Sequence, residues 1–455
     1  MKKQLQKWIA AVKGNLSLHI KLDPNHQMVI LFKALDWRYL IQIAEEQRQK
    51  NVKNGAGRKP HLRILMGVAI VHILESCTLR KAQDLVQHYA PARLLCCLRW
   101  SLWTPNFRTI SDFEIMLGSE GLARINAYVL KVAQTLGFAD IKGLCSDTTA
   151  QEAEIPYPNE VGLMNSFAKS VQAAIEQLKG KISATAKQGL LRIIGEMKKL
   201  VRHHRLFAKT NDAKKEIEQK LLNLTKKLSQ KLAGIIPTIR GSLRGPQKNA
   251  HQRLLQLQDV FGKLAPQIDY YIKNRKVAKD KIISLFQPLL RSIVRGKSGK
   301  DVEFGIKWGI NRIRGGYLWL FLMTGNAKGE GDYMVQSVKE HIALFGRAPN
   351  EYGYDRGGWS APHMKVVKQL GVNKIAVAPK GKASWKVSGL CKDRMVRERA
   401  QVEGVIGTLK HIGLNKPNSK TTPGMIRAGH RAGVRFNLSK VIRDARAVAE
   451  GKKAA

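Results

Sequence analysis

Acidic residues are scarce in this chain: 34 Asp and Glu face 79 Lys and Arg, giving a net charge of +45 and a pI near 10.3. A protein this cationic favours a polyanionic partner, and nucleic acid is the first candidate. Cysteine is sparse as well. The five cysteines are an odd number, Cys96 and Cys97 are adjacent, and no C-x-x-C occurs. That pattern argues against a disulfide framework or a zinc knuckle and for reduced, buried thiols in a cytosolic protein. Long apolar runs are missing. The longest near the start, 64–74, contains His72 and is too short to span a bilayer. No apolar core follows Met1-Lys2-Lys3, so no secretory signal is expected. An anionic membrane surface is the competing partner, but the charge is spread along the sequence rather than gathered beside an anchor.

What is present is enough for a substantial fold. At 455 residues with 44% hydrophobic content, the chain can hold two or three domains with a real core. Residues 1–140 read as mostly helical. Apolar residues recur at helical spacing over 61–98, broken near Pro91, after a basic, turn-rich stretch at 51–60. Ser111-Asp112-Phe113-Glu114 has the spacing of a capping box and predicts a helix start. A helix-turn-helix suits such a region, although the spacing singles out no recognition helix.

The pattern changes around Asp147, where Leu144-Cys145 lead in and Thr148-Thr149 follow, a β signal. The next β signal is expected only at Val302. Between them, Ile182, Ala186, Leu190, Ile193, Met197 and Leu200 form an apolar stripe, continued by Leu221, Leu224, Leu228 and Leu232. This predicts an antiparallel helical hairpin or short coiled coil, interrupted at 241–245 and resuming to about Leu290. From 161 to 300 there are 30 Lys and Arg against 8 Asp and Glu. A basic helix is usually just solvated, but an excess this large points to contact with nucleic acid. Strands are then expected at 302–311 and 317–324 around the turn Arg314-Gly315-Gly316, and at 351–355 and 373–378. Helices are expected at 332–345, at 362–370 with Ser360 as N-cap, and finally at 394–409.

Three acids fall where a nuclease-type metal site would need them. Asp147 and Asp355 sit at the ends of predicted strands, and Glu403 sits on the last predicted helix. Each has a plainer reading. Asp147 and Asp355 could be turn or cap aspartates, Asp355 could pair with Arg356, and Glu403 could be a surface partner of nearby cations. Glu398, the nearest rival to Glu403, is five residues away and points elsewhere on the helix. Trp359 could stack on a displaced base or pack in the core. His203 and His204 diverge by about 100° on a helix, which unsuits them to one metal, and read as surface residues.

In order along the chain, the pieces are Ser146-Asp147-Thr148-Thr149, Arg295-Gly296-Lys297 ahead of Val302-Glu303-Phe304-Gly305, Tyr354-Asp355-Arg356-Gly357, and Arg399, Glu403 and Lys410. Together, over roughly 100–440, they resemble bacterial insertion-sequence DDE transposases close to the ISNCY type. One position departs: Val396 stands where the related signature has a tyrosine. The resemblance implies an α/β fold with a ribonuclease-H-like mixed-sheet core, a helical N-terminal domain and a long helical insertion after the first core strand. The implied boundaries are a DNA-binding region at 1–140, a catalytic core at 141–160 and 301–415, an insertion at 161–300 and a basic helical tail at 416–455. It further implies Asp147, Asp355 and Glu403 as catalytic residues holding two Mg²⁺ or Mn²⁺ ions about 3.5–4 Å apart across a scissile phosphate, Asp147 bridging both. Arg399, Lys410, Arg356, Arg295 and Lys297 would contact DNA, with Arg399 and Lys410 on terminal phosphates. The implied partners are transposon ends and target DNA, with a homodimer in the synaptic complex and a bacterial, nucleoid-associated setting. Two alternatives remain at this point: a transposon-derived DNA-binding protein without chemistry, and a structure-specific nuclease on the same core.

Overall fold

The computed structural model describes residues 21–51, 60–98, 101, 103–239, 241–297, 300–323, 329–381, 384–417, 419 and 421–451. The protein is a mixed α/β chain with an open mixed sheet. It divides into two compact units, Met1–Gln151 with Lys307–Ala455, and Glu152–Ile306.

The first unit opens with helices α1 (Gln27–Ala34), α2 (Trp37–Asn51), α3 (Leu62–Glu75), α4 (Leu79–His88), α5 (Ala90–Leu95) and α6 (Phe107–Thr135). The helix expected to start at Ser111 starts earlier, because Asn106 caps it by accepting from the Thr109 amide at 2.9 Å. Its actual break lies at Gly118, whose φ of 65° departs from helical geometry. Strand β1 (Asp140–Glu152) follows and leads into the second unit.

The second unit is a four-helix bundle of α7 (Glu160–Gln177), α8 (Ala184–Leu206), α9 (Asn211–Ile235) and α10 (Pro246–Asn274). The apolar stripe read from sequence supplies its core: Leu190, Ile193, Met197, Leu221, Leu228 and Leu232 are buried beside Phe167 and Phe261, whose rings lie 4.6 Å apart. Helix does not run on to Leu290. It ends at Asn274, and an unexpected strand, β2 (Arg291–Lys297), pairs antiparallel with the first part of β3 (Lys300–Arg314). Basic residues and glycine over 291–297 hid this strand's β character. His204 also differs from its surface reading, since it faces Glu218 of α9 at 3.3 Å and is half-buried.

β3 carries the chain back into the first unit, followed by β4 (Tyr317–Leu322), α11 (Glu330–Phe345), β5 (Glu351–Tyr354), α12 (Ala361–Gln369), β6 (Lys374–Val377), α13 (Gly389–Leu409) and α14 (Thr422–Ala449). Ser360 caps α12 as expected. In this unit the strand order is β4-β3-β1-β5-β6; β3–β4 is antiparallel and β1–β5 and β5–β6 are parallel. Residues 416–455 are not simply a tail. α14 packs along α6, and its buried Asn437 bonds both the amide and the carbonyl of Leu318 on β4. Leu438 and Val441 join the main core with Ile43, Ile70 and Val129. Among the described residues, no single helix is long and apolar enough to cross a membrane.

Candidate active site

Side chains alternate across a strand, and that period of two builds the site. Along β1, Ser146 faces the α11 side, where its hydroxyl donates to Asn311 at 2.7 Å and Asn311 in turn donates to the Ser337 carbonyl. Cys145 faces α13, buried with Ala376, Cys391, Met395 and Val402. Asp147 shares the parity of Cys145. Along β5, Tyr352 and Tyr354 point to α11, bonding the Met334 carbonyl and Glu330. Glu351, Gly353 and Asp355 share the opposite parity, and Glu351 and Asp355 meet arginines of α13. At Gly353 a β-carbon would lie 3.0 Å from Cys145 Sγ and 3.1 Å from Met395 Cε, so any larger residue would press on the two side chains that seat the helix against the sheet.

Asp147 is not at a strand end; it lies in the middle of a 13-residue strand. What ends there is the parallel ladder. Gly143, Leu144 and Cys145 pair with Glu351, Tyr352 and Gly353. Continuing that register sets Asp147 level with Asp355, one residue past the end of β5. The two acids therefore share a level just past the end of the β1–β5 ladder, with Asp147 still inside its strand and Asp355 just beyond its own.

Arg399 ties the third acid to them. Its guanidinium donates to Asp355 at 2.8 Å and to Glu403, one helical turn on, at 3.5 Å. Asp355 and Glu403 are exposed, whereas Asp147 is half-buried and accepts from the Thr148 amide at 2.6 Å. Burial raises the pKa of Asp147, and the negative charges of Asp355 and Glu330 raise it further, against the Thr148 hydrogen bond and Arg399. Asp147 thus lies within electrostatic reach of Asp355 and Arg399, and Arg399 stands between Asp355 and Glu403. Among the described residues, no group of three or more His, Cys, Asp or Glu is arranged to hold a metal ion.

Glu330 is the participant that sequence reasoning missed. It opens α11, accepts from Tyr354 Oη at 2.7 Å and pairs with Lys307 at 3.3 Å. A β-carbon on Gly357 would lie 3.3 Å from Glu330 Cγ and 3.6 Å from Asp355 Oδ2, so the two acids flank one glycine. The helix is expected from 332, which leaves Glu330 in a loop; its only signal is a Gly-Glu-Gly-Asp run of the kind that starts helices.

The remaining candidates belong to several elements. Arg356 is exposed in the short turn Arg356–Gly358 after Asp355. Lys410 caps α13 and opens the π-helical turn Lys410–Leu414. Arg295 and Lys297 belong to β2 in the second unit, and their side chains lie outside the described residues. Val396 is exposed, and Trp359 packs against the main core. Glu398 does point elsewhere, accepting from Arg314 at 2.9 Å. All five cysteines are free. Cys96, Cys145 and Cys391 are buried and Cys97 is exposed; burial pushes the Cys145 thiol up to about 12, with Glu398 adding to it. No protein-family model matches this chain, and neither a curated protein nor a solved structure matches it.

Proposed function

We propose that this chain is a DDE transposase, a metal-dependent DNA strand-cleaving and strand-transferring enzyme on a ribonuclease-H-like core. The observation that carries the reading is the β1–β5 register, whose continuation sets Asp147 level with Asp355, with Glu403 joined to Asp355 through Arg399. The strand order and the net charge of +45 support it further.

The donor set suits a hard divalent cation. The three side chains offer carboxylate oxygen alone, as Mg²⁺ and Mn²⁺ require, and Asp147 ionises against burial and two neighbouring acids, a cost that a cation would relieve. Asp147, Asp355 and Glu403 would be the residues holding it. When bound, two such ions supply Lewis-acid activation of an attacking oxygen and charge stabilisation of the leaving oxygen. The chain's own residues do the rest. Asp147 is held by its strand and by the Thr148 amide, so its position is set before DNA arrives. Arg399 neutralises Asp355 and Glu403, and its guanidinium is a donor that would suit a phosphate. Water attack would free a 3′ hydroxyl at an element end, and that hydroxyl would attack target DNA. Joining two ends calls for two copies of the chain.

The test uses purified protein, Mg²⁺ or Mn²⁺, and duplexes carrying the DNA that flanks the coding sequence. The wild-type chain is expected to nick the end and join it to a target plasmid. Asp355→Asn is expected to bind the same duplex and do neither. Cleavage retained by Asp355→Asn would refute the site.

A further inference from the structure

The adjacent cysteines of the sequence fall at the end of α5, in a turn of definite form. The Leu98 amide donates to the Arg93 carbonyl at 2.8 Å and the Cys97 amide to the Leu94 carbonyl at 3.0 Å, the bond pair of a Schellman ending. Such an ending puts the residue just past the cap in the left-handed conformation, a place that glycine fills with least strain. Cys97 occupies it, with φ 56°. Arg93 closes the turn by donating to the Leu98 and Ser101 carbonyls at 2.7 and 2.6 Å. A backbone outlier held this firmly, in a residue type that the turn does not ask for, points to a role beyond folding.

The two thiols have different surroundings. Of the five cysteines, Cys97 is the exposed one. Cys96 is buried against α3, where a β-carbon on Gly67 would lie 3.1 Å from its Sγ. Burial pushes the Cys96 thiol well above its usual range, against a smaller opposing pull from Arg63. The Arg63 guanidinium has both sulfurs within electrostatic reach. It lies 3.5 Å over the Trp37 ring and donates through Nη1 to the Leu95 carbonyl at 2.9 Å. Its Nη2 is buried, with no hydrogen-bond partner among the described residues. An exposed sulfur, a second sulfur on the neighbouring residue and a cation with a donor to spare are the parts of a thiol-oxidation site.

We propose that Cys96 and Cys97 are a peroxide-sensitive pair that closes into a vicinal disulfide. The Cys97 sulfur attacks one oxygen of a hydroperoxide. The S–O bond forms, the O–O bond breaks, and the thiol proton leaves with the departing oxygen. The Cys96 sulfur then attacks the Cys97 sulfur, forming the S–S bond and breaking the S–O bond, and its proton leaves with that oxygen as water. Two thiols lose two electrons and the hydroperoxide gains them. Between the steps, the sulfenic oxygen would give Arg63 Nη2 the acceptor it lacks. A trans peptide holds adjacent Cα atoms about 3.8 Å apart, short of the usual disulfide range of about 4.4–6.8 Å, so the bond is strained and readily reduced by a dithiol. Closing it draws Cys96 from its seat against Gly67, so the effect falls on α3. This chemistry is independent of the catalytic reading, since it needs neither metal nor DNA.

The experiment treats the full chain with near-stoichiometric hydrogen peroxide, quenches it with N-ethylmaleimide in denaturant and maps the tryptic peptide 94–99, which holds both cysteines and no other. The wild-type peptide is expected to become lighter by a pair of hydrogen atoms and to take up no maleimide, then to take up two after a dithiol. Cys96→Ser is expected to yield a Cys97 sulfenic acid that dimedone traps, because the resolving sulfur is gone. Cys97→Gly puts the favoured residue at the left-handed position. It is expected to fold with a thermal midpoint no lower than that of wild type and to leave Cys96 unreacted, and it carries the test if Cys96→Ser does not fold. A wild-type peptide that keeps both thiols overturns the proposal. So does oxidation of Cys96 at an undiminished rate in Cys97→Gly, or a disulfide joining Cys97 to a second chain.

Discussion

The two ends of β5 each present a carboxylate to α13, and the two are treated in opposite ways. At the start, Glu351 is 4% exposed and receives Arg314 at 2.7 Å, Arg394 and Lys374. Arg314 also reaches Glu398 and Asp140, so one buried acid anchors a network that ties β1, β3, β6 and α13 to β5. Just past the other end, Asp355 is exposed and meets Arg399, which it shares with Glu403. The same residue chemistry on one short strand yields a structural clamp at one end and an exchangeable pair at the other. Burial and the number of partners make the difference, because a desolvated charge is held only by geometry that satisfies it fully.

Four changes would break or sharpen that contrast. The largest effect on stability belongs to Glu351→Ala, which leaves Arg314 and Arg394 facing each other without their shared acid. It is expected to cost about 3 kcal/mol in denaturant unfolding, and a cost below about 1 kcal/mol would erase the distinction drawn here. Acid pH should act through the same residue. Burial pushes the Glu351 carboxyl up, but Arg314 and Arg394 outweigh it and hold the pKa below the usual 4.5. A lowered acid binds fewer protons when folded, so its contribution is present above 4.5 and is lost as pH falls through the folded value. Urea midpoints for the wild-type chain should drop below that point, and the drop should shrink in Glu351→Ala. At the site, Asp147→Asn removes a half-buried charge that faces two other acids, so the thermal midpoint at neutral pH is expected to rise. A fall of more than a few degrees would mean that Asp147 is a structural acid after all. Arg399→Ala should have the smallest effect, under about 1 kcal/mol, as exposed ion pairs do. A larger loss would give the far end of β5 the same clamping role as the near one.

Much of this was legible in the linear order. The turn at Arg314-Gly315-Gly316, the Ser360 cap and the leucine stripes of the bundle depend on neighbours within a few residues, and such features survive being read alone. The level of Asp147 with Asp355 did not, since register belongs to two strands at once. Nor did Glu330, whose relation to Asp355 runs through Tyr354 and Gly357. Arg399 was expected at DNA phosphates, and its pairing with Asp355 depends on where α13 seats against β5. β2 was missed because its pairing with β3, rather than an apolar pattern of its own, makes it a strand.

The bundle leaves and rejoins the first unit on strands that are neighbours, since β1 lies beside β3 in the sheet. The Ala153 amide donates to the Phe304 carbonyl at 2.8 Å just beyond, pinning the two stems together. A chain that departs and returns through adjacent doors leaves the length of the helices between them free of the sheet's register. The bundle is thus joined to the first unit through two neighbouring strands, and nothing in the pairing of β1 with β5 or of β5 with β6 depends on its length.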